Sequence, residues 1–470
     1  MTSFDPEEVS LWSGGYWTKL PTVPIKGFAI DSRSSCEDAL FVALRANRDG
    51  HDFIGQAIES GATAVLVDHP RGEVDCPQLV VRDTQVAMQD IAAKYRNNFA
   101  GSVVGVTGSC GKTSTKEILK ILLPKAHCTE GNLNNHLGVP LTLSKISSSI
   151  HETAVVEVGI NQVNEMDRLA AMIHPDVCVI SSIGYSHLEG LENLETVAEE
   201  KIKLWLHSKD TCVGVFHEDL LQFKSFASAV KHRPHILVRN SNTADVSVGA
   251  SEVSFKISTE TNKCGHSHKL TINRCGCPPL VLHPDSFSDG ILQNMVLACI
   301  VAWKLGVSDE EICERLPQYR PSGLRGSCLV GRGCSYTLDC YNANPSSMLD
   351  SVRHFSQRYQ SEPKLMVLGG MNELGEKSAQ LHQTTGSSIT LSLEDRVILI
   401  GNDALHFAKG LMENGAEDEQ ILILEEPESA LPIIEQFKGA VLLKGSRSYQ
   451  LEKLVPSWAV EEFEPLRIAC

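Results

Sequence analysis

The stretch GVTGSCGKTST, residues 105–115, constrains the fold more than any other part of the chain. It lies between an apolar run at 103–106 and a helical pattern at 116–123, so strand, loop and helix follow in order. Gly108 and Gly111 let the backbone turn tightly, and a helix starting at Lys112 aims its positive end at the turn. Successive N–H groups then converge on an anion. Lys112 would neutralise the terminal phosphates of a nucleotide, and the Thr113 hydroxyl would face Mg²⁺. The strict pattern asks for glycine at 106, where Val106 stands, so the match is to a shorter form, G-x-x-G-K-T-S. A glycine-rich turn with an exposed lysine is the competing reading. The order strand, glycines, Lys-Thr, amphipathic helix favours an ATP site.

Strand and helix alternate along the rest of the chain, which predicts an α/β protein. Residues 39–44, 62–67 and 77–81 read as strands, with helices at 52–61 and 84–98. The β-branched runs 153–159 and 176–184 suit buried parallel strands. A polar, hairpin-like stretch occupies about 245–282, and 292–306 has the apolar content of a buried helix. Residues 316–323 carry the proline and glycine of a linker. Strands at 336–341, 364–370, 396–403 and 440–446 then predict a second doubly wound, Rossmann-like sheet. Three domains are expected: 1–99, 100–317 and 318–470.

The net charge of −16 argues against a nucleic-acid partner, because that affinity rests on lysine and arginine at phosphates. No run approaches the ~18 apolar residues that cross a bilayer, and the acidic start MTSFDPEEVSLW lacks an apolar core segment, so a cytoplasmic protein without membrane insertion is expected. Fifteen scattered cysteines suit reduced thiols. Cys264, His266, His268, Cys275 and Cys277 crowd one short segment. Their spacing is not that of common zinc modules, and a surface hairpin with incidental thiols is the preferred reading.

Glu157 ends one predicted strand and His187 follows another. Ligands of open parallel sheets gather at the carboxyl ends of strands, where the phosphate loop also lies. Thr113, Glu157 and His187 could therefore converge around a metal. Singly, each has a plainer reading as a capping carboxylate or a structural histidine.

The segments VTGSCGKTSTKE, GNLNNHLGVPLTL, VVEVGINQVNEM, HPDVCVISSIGYSHLEGLENLETVAEEK, YNANPSSM, GGMNELGEKSAQLH and LLKGSR resemble the successive motifs of the Mur ligases. The likeness covers nearly the whole chain. GNLNN and YNANP favour the member that joins D-alanyl-D-alanine to UDP-N-acetylmuramoyl-tripeptide over the one adding the third amino acid, which usually carries D-N-P-R. The resemblance implies a central P-loop ATPase-type domain between a UDP-substrate-binding domain and a C-terminal domain for the dipeptide, and a bacterial enzyme expected to be a monomer. It implies ATP and Mg²⁺, and an acyl-phosphate route to the amide bond.

Residue by residue, the resemblance implies that Gly108, Ser109, Cys110, Gly111, Lys112, Thr113 and Ser114 hold ATP. Asn294 would contact adenine, Asp339 the ribose and Arg325 the γ-phosphate. Thr113, Glu157, His187 and a carbamylated Lys201 would hold metal, with Lys112, Lys201, His187 and Arg325 as the catalytic set. Ser32, Arg33, Asp49, Gly50 and His51 would face UDP, with Asn134 and Asn135 on the muramoyl-peptide. Asn342, Asn344, Lys444, Ser446 and Arg447 would receive the dipeptide. The chain departs from the family pattern at Ser181-Ser182, usually an asparagine pair, at Gly290-Ile291, usually histidine-asparagine, and at Gly370, commonly aspartate. Another amide ligase of the Mur and folylpolyglutamate superfamily, or a catalytically silent nucleotide-binding homologue, remain as rivals.

Overall fold

The computed structural model describes residues 4–241, 251–262, 265–321 and 323–461. Among these, three sheets follow one another along the chain. The first has five strands in the order Tyr16–Trp17, Gln78–Val80, Ala64–Val67, Leu40–Val42, Phe28–Ala29, parallel except for the first pair. The predicted helix at 52–61 is a 3-10 turn, Gly50–Phe53, running into a short α-helix, Ile54–Glu59.

The nine-stranded central sheet runs Leu280–Leu282, Gly265–Arg274, Glu252–Asn262, His235–Asn240, Val213–His217, Val177–Ile180, Ser102–Thr107, Thr153–Glu157, Ala126–Cys128. Its middle strands are apolar on both faces because helices cover both. Val103, Val156 and Cys178 point toward the helices Glu165–Ile173 and Leu194–Leu206, while Val104, Val106 and Val179 point toward Lys112–Leu122 and Asp289–Lys304. The alternation is the period-two pleat of a strand.

The polar stretch near 245–282 does contain a hairpin, Glu252–Asn262 against Gly265–Arg274. It is not a separate flap: its first strand pairs in parallel with His235–Asn240 and so extends the sheet edge. Cys264 lies outside the described residues, as do the side chains of 260–267, while Cys275 and Cys277 are exposed free thiols.

The third sheet has the order Ser327–Gly331, Cys334–Asp339, Ala440–Lys444, Lys364–Gly369, Arg396–Ile400, Ile421–Leu424. All pairs are parallel except the first, and the two edge strands were not anticipated. One apolar cluster runs from Leu40 through Val156 to Phe355 and Leu399, so the three sheets share packing. Among the described residues no helix is long and apolar enough to cross a membrane.

Trp205 fixes the helix that carries Lys201. Its ring is fully buried, it donates from Nε1 to the Cys212 carbonyl at 3.1 Å, and a Cβ on Gly214 would sit 2.7 Å from it. Trp205→Ala is expected to lower unfolding stability by about 3–5 kcal/mol, read from the denaturation midpoint.

Candidate active site

The carboxyl ends of Ser102–Thr107, Thr153–Glu157 and Val177–Ile180 share one edge, because the strands are parallel and adjacent. The loop 108–111 crosses that edge with Gly108 at φ +148° and Gly111 at φ +84°. Neither position tolerates a side chain: a Cβ would lie 2.1 Å from Ser181 Oγ at Gly108 and 2.5 Å from Asn294 Oδ1 at Gly111. Ser182 pins the loop from behind. Its carbonyl accepts from Ser109 N and its hydroxyl from Cys110 N, both at 2.9 Å. Ser181 donates to the Cys110 carbonyl. The Ser181-Ser182 departure therefore supplies the staple of the loop. Lys112 opens the helix Lys112–Leu122 and donates to the Gly108 carbonyl at 2.7 Å.

A cleft of about 1630 Å³ extends from this loop to the third sheet. Ser109 to Ser114 form one wall with Glu157, His187 and Asn294. Arg325, Asp339, Asn342 and Asn344 face them with Lys444, Ser446 and Arg447.

Glu157 is 1% exposed. Its Oε1 accepts from Asn134 Nδ2 at 2.8 Å and from Thr113 Oγ1 at 3.2 Å, while Oε2 has no hydrogen-bond partner. Lys116 Nζ, also buried, lies 3.7 Å from that Oε2. A buried carboxylate oxygen without a donor, beside a threonine hydroxyl, is a donor set that suits a hard cation.

Lys201 is fully buried and its Nζ has no hydrogen-bond partner. Burial pushes its pKa well down, and the charge of Lys112 pushes it further. Burial likewise lowers the pKa of Lys112, opposed by Glu157. His187 sits in the left-handed region at φ +53° and places Nδ1 2.5 Å from Glu373 Oε2. This contact holds the Glu373 carboxyl below its ordinary range. Glu373 also has a positive φ, +62°, and its carbonyl accepts from Leu188 N at 2.8 Å across the cleft.

On the opposite wall, Arg325 stacks over the Tyr341 ring at 3.9 Å. Lys444 is buried, with Nζ 3.0 Å from Asp339 Oδ2 and donating to the Asn342 carbonyl at 2.7 Å. Arg447 pairs with Glu452 at the exposed rim. Asn344 caps the helix Pro345–Arg358 and donates to Cys110 Sγ at 2.9 Å. Gly370 makes room for Tyr449, whose hydroxyl would be 2.6 Å from a Cβ there, and Gly290 does the same for Asp350 at 2.8 Å.

The remaining candidate residues divide between this cleft and the first sheet. Asn134 and Asn135 both line the cleft, Asn134 bonded to Glu157 and Asn135 Oδ1 accepting from Gly138 N at 2.9 Å at the start of a helix. The first-domain group does not line this cleft. Ser32 donates to Gln56, Arg33 pairs with Asp31, and His51 is buried between Asp49 and Asp68. Gly50 is required by the Leu44 backbone, 2.6 Å from its Cβ position. Reasoning from sequence missed Lys116, which stands one helical turn after Lys112 and so shares its face, and Glu373, although its motif was noted.

Residues 24–96 match the Mur ligase family catalytic domain, 106–276 the Mur ligase middle domain, and 327–447 the Mur ligase glutamate ligase domain. The UDP-N-acetylmuramoyl-tripeptide–D-alanyl-D-alanine ligase of Bacillus subtilis strain 168 is 30% identical over 442 residues, covering 92% of each chain. The chain belongs to the Mur ligase family. The enzyme of the same description from Escherichia coli K12 is 29% identical over 92% of this chain and 93% of its own. MurF from Acinetobacter baumannii has a similar solved structure, with TM-score 0.83 at 26% identity, covering 97% of this chain and 99% of that one. The Thermotoga maritima MurF ligase, solved in complex with ADP, gives 0.77 at 25% identity over 93% and 97%.

Gly111→Ala combines a strained φ with a collision against Asn294. We expect ATP affinity to fall by about tenfold or more, roughly 1.4 kcal/mol, in a nucleotide titration. Affinity for the UDP substrate should be unchanged.

Proposed function

We propose that this chain is an ATP-dependent ligase that joins D-alanyl-D-alanine to UDP-N-acetylmuramoyl-tripeptide in peptidoglycan precursor synthesis. The observation that carries the reading is the single cleft with a phosphate loop on one wall and Arg325, Lys444 and Arg447 on the other. Relatives of that description, matched over 92% of this chain, support the choice of substrates.

A carboxylate is a poor electrophile at neutral pH, so the substrate carboxylate first takes the γ-phosphoryl group of ATP and becomes an acyl phosphate. The ammonium of the dipeptide gives up a proton to become the free amine, which attacks the carbonyl carbon; a C–N bond forms, the C–O bond to phosphate breaks, and the nitrogen releases a second proton as the amide and inorganic phosphate separate. Lys112 and Arg325 offset the charge of the phosphoryl group, a role in which fixed charges outperform mobile water. Because the two belong to different sheets, the walls must be closed for both to act. Thr113 and Glu157 would hold one Mg²⁺, and His187 with carbamylated Lys201 a second; bound there, Mg²⁺ would supply charge neutralisation between two anions. Lys201 is suited to carbamylation because the free amine attacks CO₂, and burial favours that free amine. The step adds N–COO⁻ and releases a proton.

Phosphate release that requires both UDP-muramoyl-tripeptide and D-alanyl-D-alanine tests the reading; release with ATP alone, or none with all three, would refute it. Lys201→Ala is expected to fold and bind ATP yet lose about 100-fold in turnover, the scale of a lost transition-state charge contact. Acetate in solution should restore part of the rate. Near-normal turnover by the variant would remove Lys201 from the mechanism.

A further inference from the structure

The incoming dipeptide is a zwitterion, and its ammonium end must approach a site ringed by Lys112, Arg325, Lys444 and Arg447. Repulsion at that point has to be offset by an anion on the wall that brings the dipeptide in. Four carboxylates of the third domain line the cleft: Asp339, Asp350, Glu362 and Glu373. Asp339 is 3.0 Å from the Lys444 ammonium. Asp350 is turned to the helix Asp289–Lys304 and accepts from Gly290 N at 3.3 Å. Glu362 lies beyond the far end of Pro345–Arg358, 14 residues and therefore about 21 Å from the Asn344 end that touches Cys110.

Glu373 remains. Its side chain is 50% exposed and lies against His187 Nδ1 across the cleft, and Lys112 is close enough to feel its charge. Its loop is also tied to the one that carries Arg447: Asn372 N donates to Ser446 Oγ at 2.9 Å and Asn372 Nδ2 to Ser448 Oγ at 2.7 Å. A carboxylate and an arginine on two joined loops suit the two ends of a ligand that spans on the order of 7 Å when extended.

The geometry points to Glu373 as the group that holds the ammonium end of the incoming dipeptide, with its Oε atoms accepting the N–H donors while Arg447 takes the carboxylate. This rests on the ligase reading above and names the part of the site that reads the amine. The backbone of Glu373, held at φ +62° and bonded through its carbonyl to Leu188 N, fixes the carboxylate beside the phosphate loop when the walls are closed. Strain of this kind is retained where a side chain must be aimed.

The test is steady-state kinetics of Glu373→Gln, which keeps shape and removes the charge. The expected result is a tenfold or greater rise in KM for D-alanyl-D-alanine, with KM for ATP within twofold and the nucleotide titration unchanged. A fall in kcat with an unaltered dipeptide KM would overturn the proposal, since Glu373 would then act through His187. The unmodified chain gives an independent reading: D-lactoyl-D-alanine, with a hydroxyl in place of the ammonium, should inhibit at least tenfold more weakly than D-alanyl-D-alanine binds. Equal affinities would overturn the proposal whether or not the variant folds. If the unmodified chain releases no phosphate with its full set of substrates, the ligase reading fails instead, and the two failures are distinct.

Discussion

The fully buried side chain of Lys201 lies where the charge of Lys112 reaches it, so its ammonium form is disfavoured by burial first and by that neighbour second. Lys201 has no hydrogen-bond partner, and Lys112 turns back onto a carbonyl of its own loop. Burying one unpaired ammonium costs several kcal/mol, so the fold keeps Lys201 there at the expense of its charge. The surrounding structure follows from that constraint. Gly108 and Gly111 let the loop cross the sheet edge beside Lys112, Trp205 locks the helix that carries Lys201, and Glu157 keeps one carboxylate oxygen without a hydrogen bond, 3.7 Å from Lys116.

Polar contacts that are each small add to the shared apolar cluster in holding the two walls of the cleft together. Asn344 donates to Cys110, Leu188 to the Glu373 carbonyl, and Gly290 to Asp350, so polar bonds bridge the two walls at three places. Such bonds contribute only about 0.5–1.5 kcal/mol each in net terms. Bonds of that size can be broken singly, while together they favour the arrangement of the walls described here.

Much of this was legible in the sequence for identifiable reasons. The phosphate loop, the parallel strands 153–157 and 177–180, and the apolar helix 289–304 announce themselves because fully buried elements leave continuous apolar runs. Edge strands did not. Ile421–Leu424 is half-exposed and Tyr16–Trp17 is two residues long, so neither carries a pattern that outweighs a loop. In the site, Lys112, Thr113 and Glu157 were readable from spacing, while Lys201 needed the family likeness because a buried helix lysine looks like a solvated one until its neighbours are known. Ser182 and Glu373 were hidden for another reason: their partners, the loop amides and His187, lie far away in sequence.

The overall charge of −16 sharpens the selectivity of the site. Both the nucleotide and the UDP substrate are anions, and a protein this acidic repels them nearly everywhere. The cations gathered on the cleft walls reverse the field locally, and low-dielectric walls focus it there. The zwitterionic dipeptide, with no net charge, gains nothing from such long-range attraction. Its recognition must therefore be short-range, made by groups that meet each end separately, and that is the arrangement proposed above for Glu373 and Arg447 on their two hydrogen-bonded loops.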